Sequence, residues 1–310
     1  MDIFDEKGIK PMLIAEAKEA FNSDDYIFEL KLDGIRCIAY LDKESTDLRN
    51  KRDFKLLPRF SELEEMHRYA NEKCILDGEL IAMNNGVPDF YEIQKRTLLT
   101  DTFKMQLAAK KYPVAFIAYD IIYYKDSLVT DCTLMERKKL LEKTVNEIDR
   151  FAISRYIEKN GIALYQVAEQ QKLEGIVAKD KESKYWFNKK SRDWVKIKYL
   201  KDMDFAICGY ILKKEKGMTS IILGQYNDKN QLKYKGHATL GVSLKKLSVY
   251  DLKRSSHSPF DYTPKGNEDA VWLEPTLVAT IEYMPNDRGS LRQPVLKRIR
   301  DDKSTFECIE

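Results

Sequence analysis

The stretch ELKLDGIRCIAY, residues 29–40, decides how the rest of the chain is interpreted. It belongs to an apolar, β-branched run over residues 26–41 that predicts a buried strand. Such strands usually exclude an ammonium group, yet Lys31 lies inside this one, with Asp33 and Arg36 close behind it. One interpretation is a lysine that reaches solvent at a sheet edge. The other is a nucleophile, which requires a neutral amine and therefore cations or a metal ion nearby.

Length and composition set the limits for both interpretations. The 310 residues suffice for two domains with a core each. With 53 basic and 50 acidic residues, any surface for a polyanion has to come from local clustering. The five cysteines form no Cys-x-x-Cys pair, which argues against a zinc ribbon and a disulfide framework. No signal peptide or membrane-spanning run is evident, so we expect a soluble cytoplasmic protein.

The pattern of predicted secondary structure changes near residue 200, which predicts two domains. Before that point, strand-like runs alternate with the helical patterns PRFSELEEMHRYANE, TLMERKKLLEKTVNEI and GIALYQVAEQQ. The second of these has a capping-box signature in Thr133 and Glu136. After residue 200, short strands separated by turns predict a five-stranded barrel of the OB type. We therefore predict an α+β fold, with antiparallel sheets and flanking helices over 1–200 and an OB-fold barrel over 201–310.

Three further apolar segments carry the charged groups that a nucleophilic lysine needs. LDGEL contains Glu79, and LEGIVAKD contains Glu174 and Lys179. In DWVKIKYL, Lys196 and Lys198 alternate with aliphatic residues, so both project from one face of a strand. A solvated edge strand explains this last segment alone, but not the four segments together.

These segments bear a specific resemblance to a known family. KLDGIR, LDGEL, AYDIIYY, LEGIVAK and WVKIK follow the order and approximate spacing of the nucleotidyltransferase motifs of ATP-dependent DNA ligases. RIRDDK resembles the last motif of that family. The chain is most similar to compact ligases of bacteria and their phages, particularly those of end joining. The resemblance implies an adenylation domain (1–200), an OB domain (201–310), ATP, Mg²⁺ or Mn²⁺, and nicked duplex DNA as the substrate of a monomer.

The resemblance also implies a role for each matching residue. Lys31 would attack the α-phosphate of ATP and carry AMP, which then passes to a 5′-phosphate at a nick and is expelled by the 3′-hydroxyl. Glu29 would read the adenine amino group, and Tyr119 would stack on the purine. The other residues implied for binding the nucleotide and its metal ion are Arg36, Arg49, Glu79, Glu174, Lys179, Lys196, Lys198, Arg300 and Lys303, with Glu79 and Glu174 as the metal carboxylates. Around Arg49 the chain has LRNKRD where the family usually has Ser-Arg-Asn-Gly.

A basic and aromatic segment, KYWFNKKSRDWVKIKYLK over 184–201, predicts the DNA-binding surface. We expect contacts with DNA phosphates from Lys184, Lys189, Lys190 and Arg192, beside the aromatic residues 185, 186, 187 and 194. Lysines 213, 214, 216, 233 and 235 either extend this surface or are simply solvated. We expect no separate N-terminal DNA-binding domain; help from an end-binding repair protein is left open.

Three alternatives compete with a DNA ligase. An RNA ligase and a GTP-dependent capping enzyme share the lysine chemistry, and RIRDDK disfavours both. A non-catalytic nucleic-acid-binding protein on a decayed scaffold is disfavoured because the nucleophile and the acids are present. The sequence leaves open the host and whether the process is replication, repair or end joining.

Overall fold

The computed structural model describes residues 2–84, 87–213, 218–285, 290–300 and 302–310. The chain divides into two compact units, Met1–Lys198 and Tyr199–Glu310. The boundary expected from the sequence lies two residues further along. Within the described residues, no helix combines the length and apolar composition needed to cross a membrane.

The first unit is a mixed α+β unit built mainly from strands. Its strands, in chain order, are β1 (Leu13–Ala17), β2 (Ser23–Leu30), β3 (Ile35–Leu41), β4 (Thr46–Asn50), β5 (Cys74–Asn84), β6 (Val87–Pro88), β7 (Val114–Tyr124), β8 (Ser127–Leu128), β9 (Phe151–Ile153), β10 (Tyr156–Lys159), β11 (Gly175–Asp180) and β12 (Lys190–Lys198). Its α-helices are α1 (Ile3–Glu6), α2 (Phe90–Thr97), α3 (Thr102–Lys111), α4 (Leu134–Thr144) and α5 (Gly161–Gln170).

These strands form two sheets that face each other. One has the order β1-β12-β11-β2-β10; the other has the order β4-β3-β5-β7-β8, with β6 on β5 and β9 on β7. Most pairs are antiparallel, whereas β1 with β12 and β7 with β9 are parallel. One apolar core, around Leu76 and Phe116, covers one face of the second sheet. Another joins Trp194 of the first sheet to Ile38 and Tyr40 of the second, so it lies between the sheets.

The stretch quoted at the outset is not a single strand. β2 ends at Leu30 and pairs in the first sheet, while β3 begins at Ile35 and pairs in the second. The segment between them crosses from one sheet to the other. Gly34 makes the crossing possible, because a Cβ there would lie 2.0 Å from the carbonyl oxygen of Leu80. The prediction of one strand was therefore wrong, and Lys31 lies just beyond the end of β2.

The helix predictions had mixed outcomes. The capping box of Thr133 and Glu136 opens α4, and GIALYQVAEQQ forms α5, as predicted. The pattern PRFSELEEMHRYANE forms 3-10 segments, Leu57–Arg59 and Ser61–Tyr69, instead of one α-helix. Phe60, with φ −129° and ψ 50°, interrupts the helical path between them.

Three helices of the first unit were not predicted: the single turn α1, and the longer α2 and α3. α2 and α3 each begin after an aspartate, Asp89 and Asp101, whose side chain accepts hydrogen bonds from the first turn. An N-terminal cap of this kind is visible in a sequence and would have located both helices.

The second unit is a small β-barrel. Its elements are β13 (Lys201–Lys213), β14 (Met218–Tyr226), β15 (Leu232–Ala238), α6 (Leu244–Leu247), β16 (Val271–Trp272), β17 (Val278–Met284), β18 (Arg292–Arg300) and the 3-10 segment Thr305–Glu307. The strand order is β15-β14-β13-β17-β18, with β16 on β13. A bridge between Leu240 and Val295 brings the chain after β15 against β18, so the ends of the sheet meet. The predicted combination of an α+β unit and an OB-type barrel is confirmed.

Candidate active site

A cavity of about 500 Å³ opens between the two sheets of the first unit. Its walls come from the β2–β3 crossing, β5, β7, β11, β12 and the residues after β4. Six residues that the sequence analysis selected line it: Glu29, Lys31, Arg36, Glu79, Tyr119 and Lys179. The fold thus gathers side chains from distant parts of the chain around one space.

Lys31 forms an ion pair at this cavity. Its Nζ lies 2.7 Å from Oε2 of Glu174, and its backbone amide donates to the carbonyl of Gly175. Gly175 has φ +132°, and a Cβ there would lie 2.1 Å from the carbonyl oxygen of Ile197. This glycine lets the chain enter β11 close against β12, which places Glu174 beside Lys31.

Glu79 lies across the ladder from Arg36, on the neighbouring strand β3. Burial raises the pKa of Glu79 to about 8, and the charges of Glu174 and Asp77 act in the same direction. Lys31 and Arg36 oppose that rise. The wall therefore holds a carboxyl group whose negative charge is poorly compensated.

Arg36 is fixed by a buried carboxylate that the sequence analysis did not select. Its Nε and Nη2 donate to the two oxygens of Asp77, at 3.0 and 2.6 Å, and its Nη1 donates to the carbonyl of Met12. The hydroxyl of Tyr185 also donates to Asp77, at 2.6 Å, and accepts from the amide of Met12. Asp77 lies in the quoted LDGEL, where an acid in an apolar strand was a visible signal.

Glu29 lies in a buried cluster of charges. Its Oε2 accepts hydrogen bonds from Ser154 at 2.9 Å and Lys179 at 3.0 Å. Nζ of Lys138 lies 2.5 Å from Oε1 of Glu29. That contact lacks hydrogen-bond geometry, and among the described residues neither Oε1 nor the Lys138 Nζ has a hydrogen-bond partner. Lys138 and Ser154 were not predicted.

Lys179 lies against two aromatic rings. Its Nζ is 4.6 Å from the ring centroid of Tyr119 and 4.2 Å from that of Trp194. Burial lowers the pKa of Lys179 to about 8, Lys138 adds to this, and Glu29 opposes it. The ammonium is therefore positioned by both π-systems and by the carboxylate.

Lys196 and Lys198 project from the same face of β12, as expected. They lie opposite Val177 and Gly175 of β11, and Val177 lines the cavity. Among the described lining residues neither lysine is present. Lys196 pairs with Glu16 at 3.0 Å, an acid that was not predicted. Burial lowers the pKa of Lys198, and the charge of Lys196 adds to the effect.

Arg49 of β4 is held by two aspartates, one in the same strand and one just after it. Its side chain pairs with Asp47 at 2.9 Å and with Asp53 at 3.0 Å. Among the described lining residues Arg49 is not present, whereas Asn50, Lys51, Arg52 and Phe54 are. The structure thus brings the segment after Arg49 to the cavity.

Arg300 and Lys303 lie in the second unit, where both meet Asp204. Oδ2 of Asp204 is 2.9 Å from Lys303 Nζ and 3.4 Å from Arg300 Nη1, and its Oδ1 accepts from the hydroxyl of Thr280. Arg300 also pairs with Asp302 at 2.8 Å. Asp204 was not predicted.

Only some side chains of the basic segment over 184–201 are exposed. Lys190 and Arg192 are exposed, and Nζ of Lys189 lies 4.8 Å from the ring centroid of Trp186. Lys184 is 3.1 Å from an oxygen of the exposed Asp131. These side chains are accessible to a large ligand.

Two of the aromatic residues expected on that surface belong to the core. Tyr185 is 2% exposed and Trp194 is 1% exposed, so neither offers a ring to DNA. The prediction was wrong for these two because both rings pack into the core between the sheets, Trp194 from β12 and Tyr185 from the segment before it. Trp186, at 39% exposure, remains accessible.

Of the barrel lysines named in the sequence analysis, the two whose side chains the structure describes are paired. Lys233 lies 3.4 Å from Asp261, and Lys235 lies 2.9 Å from Glu310. Lysines 214 and 216 and the side chain of 213 lie outside the described residues.

Known protein families match both units. The family described as "ATP dependent DNA ligase domain" matches residues 11–198. This chain belongs to the ATP-dependent DNA ligases. The family described as "ATP dependent DNA ligase C terminal region" matches residues 214–303 of the ligase. The predicted family, the use of ATP and the DNA ligase activity are therefore confirmed.

Individual relatives agree with this assignment. The ligase is 27% identical to the SPbeta prophage-derived DNA ligase-like protein LigB of Bacillus subtilis (strain 168), over 92% of this chain and 97% of the relative. It is 25% identical to the multifunctional non-homologous end joining DNA repair protein LigD of Mycobacterium tuberculosis (strain ATCC 25618 / H37Rv), over 99% of this chain but 40% of the relative. The crystal structure of the M. tuberculosis LigD ligase domain has the same fold, with a TM-score of 0.57, 22% identity and complete coverage of both chains.

Proposed function

We propose that this ligase seals nicks between a 5′-phosphate and a 3′-hydroxyl in duplex DNA, with Lys31 as the residue that carries AMP. The observation that carries this proposal is the position of Lys31 at the cavity between the sheets, 2.7 Å from Glu174. A cavity of about 500 Å³ falls in the range of roughly 300–1,000 Å³ that is usual for small-molecule sites.

The first step needs a neutral amine that is held still. Nζ of Lys31 forms a bond to the α-phosphorus of ATP, the bond from that phosphorus to the pyrophosphate oxygen breaks, and pyrophosphate leaves with the electron pair. The proton of the amine must leave as well. Glu174 is positioned to accept it, because its carboxylate already receives a hydrogen bond from Nζ.

The base would be recognised by the pair Glu29 and Lys179. The carboxylate accepts and the ammonium donates, and their polar atoms lie 3.0 Å apart. Adenine offers an amino donor beside a ring-nitrogen acceptor, which complements this pair, whereas guanine offers the reverse order. The ring of Tyr119 lines the same cavity and would stack on the purine. This arrangement favours ATP over GTP.

The phosphates and the ribose would meet the remaining charged residues. Arg36 would bind the ribose or the phosphates, because Asp77 and Met12 fix its guanidinium at the cavity. Lys196 and Lys198 would stabilise negative charge on the α-phosphate. Arg300 and Lys303 would orient the pyrophosphate as it leaves. Arg49 would help to bind the ribose or the phosphates by positioning the segment that follows it, which lines the cavity.

A divalent metal ion fits the acids of the site. Mg²⁺ or Mn²⁺ binds through hard oxygen ligands, often one or two carboxylates together with substrate phosphates. Glu79 and Glu174 are the carboxylates that would hold it, and a cation beside Glu79 would offset the burial that raises the pKa of this group to about 8. In the described residues no group of three or more His, Cys, Asp or Glu is placed to hold a metal, so phosphate oxygens would complete the ligand set. When bound, the ion withdraws charge from the phosphate oxygens.

The DNA would lie against the exposed basic residues Lys184, Lys189, Lys190 and Arg192. Contacts with phosphates alone suit an enzyme that acts on a backbone break regardless of sequence. We propose that the ligase acts as a monomer in the cytoplasm of a bacterial or phage-infected cell. The similarity to an end-joining relative supports an end-binding repair protein as a partner at DNA ends.

Intact-mass analysis after incubation with ATP and Mg²⁺ tests the assignment of Lys31. The unaltered ligase should gain one adenylyl group and Lys31→Ala none, while Lys139→Ala, on the exposed side of α4, should behave like the unaltered chain. An adduct of normal yield on Lys31→Ala would refute the assignment. Incubation with GTP, and nicks with RNA on either side, test the capping-enzyme and RNA-ligase alternatives.

A further inference from the structure

Lys138 lies on the buried face of α4. It is four residues after Leu134 and three before Leu141, and that spacing puts all three on one side of a helix. Lys138 is 1% exposed, whereas the next residue, Lys139, is exposed. A buried ammonium is unfavourable unless a negative group compensates it. Its position therefore requires an explanation.

The compensating group is Glu29. Nζ of Lys138 lies 2.5 Å from Oε1, while Lys179 and Ser154 hold Oε2 from the other side. Burial works against ionisation of this carboxyl, but Lys138 and Lys179 lower the pKa of Glu29 below its ordinary value. The carboxylate is thus clamped between two ammonium groups.

The two clamping lysines differ in their relation to the cavity. Lys179 and Glu29 line it, whereas Lys138 is not among the described residues that do. The ammonium of Lys138 forms an ion pair with Oε1, and Oε1 is itself buried. Lys138 therefore holds the buried side of the carboxylate.

We propose that Lys138 is a positioning residue for nucleotide choice, which holds the Glu29 carboxylate from behind in the orientation that reads the amino group of the base. This inference rests on the proposed role of Glu29 in binding adenine. Without Lys138, Oε1 would be buried with no cation beside it. The carboxylate would then turn towards Lys179 or take up a proton, and in either state it would accept poorly from the adenine amino group.

The test compares ATP with purine riboside triphosphate, whose base lacks the 6-amino group. For each nucleotide, the rate of adduct formation is measured against concentration to give kcat/KM, and the ratio of the two values is the readout. Lys138→Met should lower the ratio by about tenfold or more, because the hydrogen bond to a charged acceptor is lost. Lys138→Arg should retain most of the ratio, and Lys139→Met should leave it unchanged.

A merely structural role for Lys138 would slow both nucleotides equally, and an unchanged ratio in Lys138→Met would overturn the inference. If that variant fails to fold, the double variant Lys138→Met/Glu29→Gln serves instead, since it leaves no uncompensated carboxylate. Its ratio should equal that of Glu29→Gln alone, and a further drop would overturn the inference. Absence of any adduct on the unaltered ligase would instead overturn the proposed function itself.

Discussion

Asp204 and Lys303 form an ion pair of 2.9 Å inside the second unit, and the same carboxylate oxygen lies 3.4 Å from Arg300. One aspartate therefore holds both cations that we propose for pyrophosphate orientation. These cations have to leave Asp204 before they can bind another anion. On that proposal, Asp204 would compete with the triphosphate for them.

We expect Asp204→Asn to lower the KM for ATP in self-adenylylation. An accessible ion pair contributes about 1 kcal/mol or less, so the change should be roughly two- to fivefold. Sealing of a nick that already carries AMP should be unchanged. Asp261→Asn, which removes the exposed partner of Lys233, is the matched control. A higher KM would contradict competition and would show that Asp204 presents the cations productively.

Glu174→Gln should slow self-adenylylation by about a hundredfold, because the amide cannot accept the proton of the Lys31 amine. Transfer of labelled AMP from ATP to the protein measures this rate directly. Glu182→Gln, which alters an exposed acid eight residues along, should retain normal transfer. Near-normal transfer in Glu174→Gln would exclude Glu174 as the proton acceptor.

The depressed pKa of Lys179 predicts a pH dependence of stability with a definite sign. Its pKa is about 8 in the folded chain, against 10.5 as the ordinary value. Between these values the unfolded chain binds more protons, so this residue makes the free energy of unfolding rise with pH. Compared with Lys179→Met, the unaltered chain should gain stability from pH 8 to pH 10.5. Urea unfolding at both pH values measures the difference, and a difference that shrinks with pH would contradict the prediction.

Tyr185→Phe should make the Arg36 side chain less rigidly positioned, through the loss of a hydrogen bond to Asp77. The change removes the hydroxyl that donates to Asp77 and accepts from the amide of Met12. We expect a loss of about 1–2 kcal/mol in the free energy of unfolding, together with a higher KM for ATP. Tyr262→Phe, at an exposed tyrosine, should change neither quantity. A destabilised variant with normal KM would show that this network is structural only.

Lys190→Ala should weaken binding to nicked duplex equally for all sequences. It should also reduce the slope of log affinity against log salt by about 1, the value for one lost phosphate contact. Lys143→Ala, which changes another exposed lysine of the same unit, serves as the control. Fluorescence anisotropy over a salt series gives both slopes, and identical slopes would place Lys190 away from the DNA.

The sequence predicted those features that depend on local patterns. Alternation in DWVKIKYL predicted that Lys196 and Lys198 share a strand face, and the capping box marked the start of α4. The strands of the second unit followed from short β-branched runs between turns. Each of these patterns depends only on residues that are close together in the sequence.

Features that depend on contacts between distant segments were not predictable. Asp33-Gly34 indicated a possible turn, but no local pattern showed that the chain leaves one sheet for another at Gly34, because the reason is the backbone of Leu80. Tyr185 and Trp194 lie in a segment whose basic and aromatic composition is typical of a nucleic-acid-binding surface, yet packing between the sheets buries both rings. Likewise, the partner Lys138 is recognisable only once Glu29 is placed beside it.

Gly34 also constrains the position of Lys31. At this point the crossing segment meets the neighbouring sheet backbone to backbone, with no side chain between them. Any side chain at position 34 would push the crossing segment away from β5, and Lys31, three residues earlier, would be displaced with it.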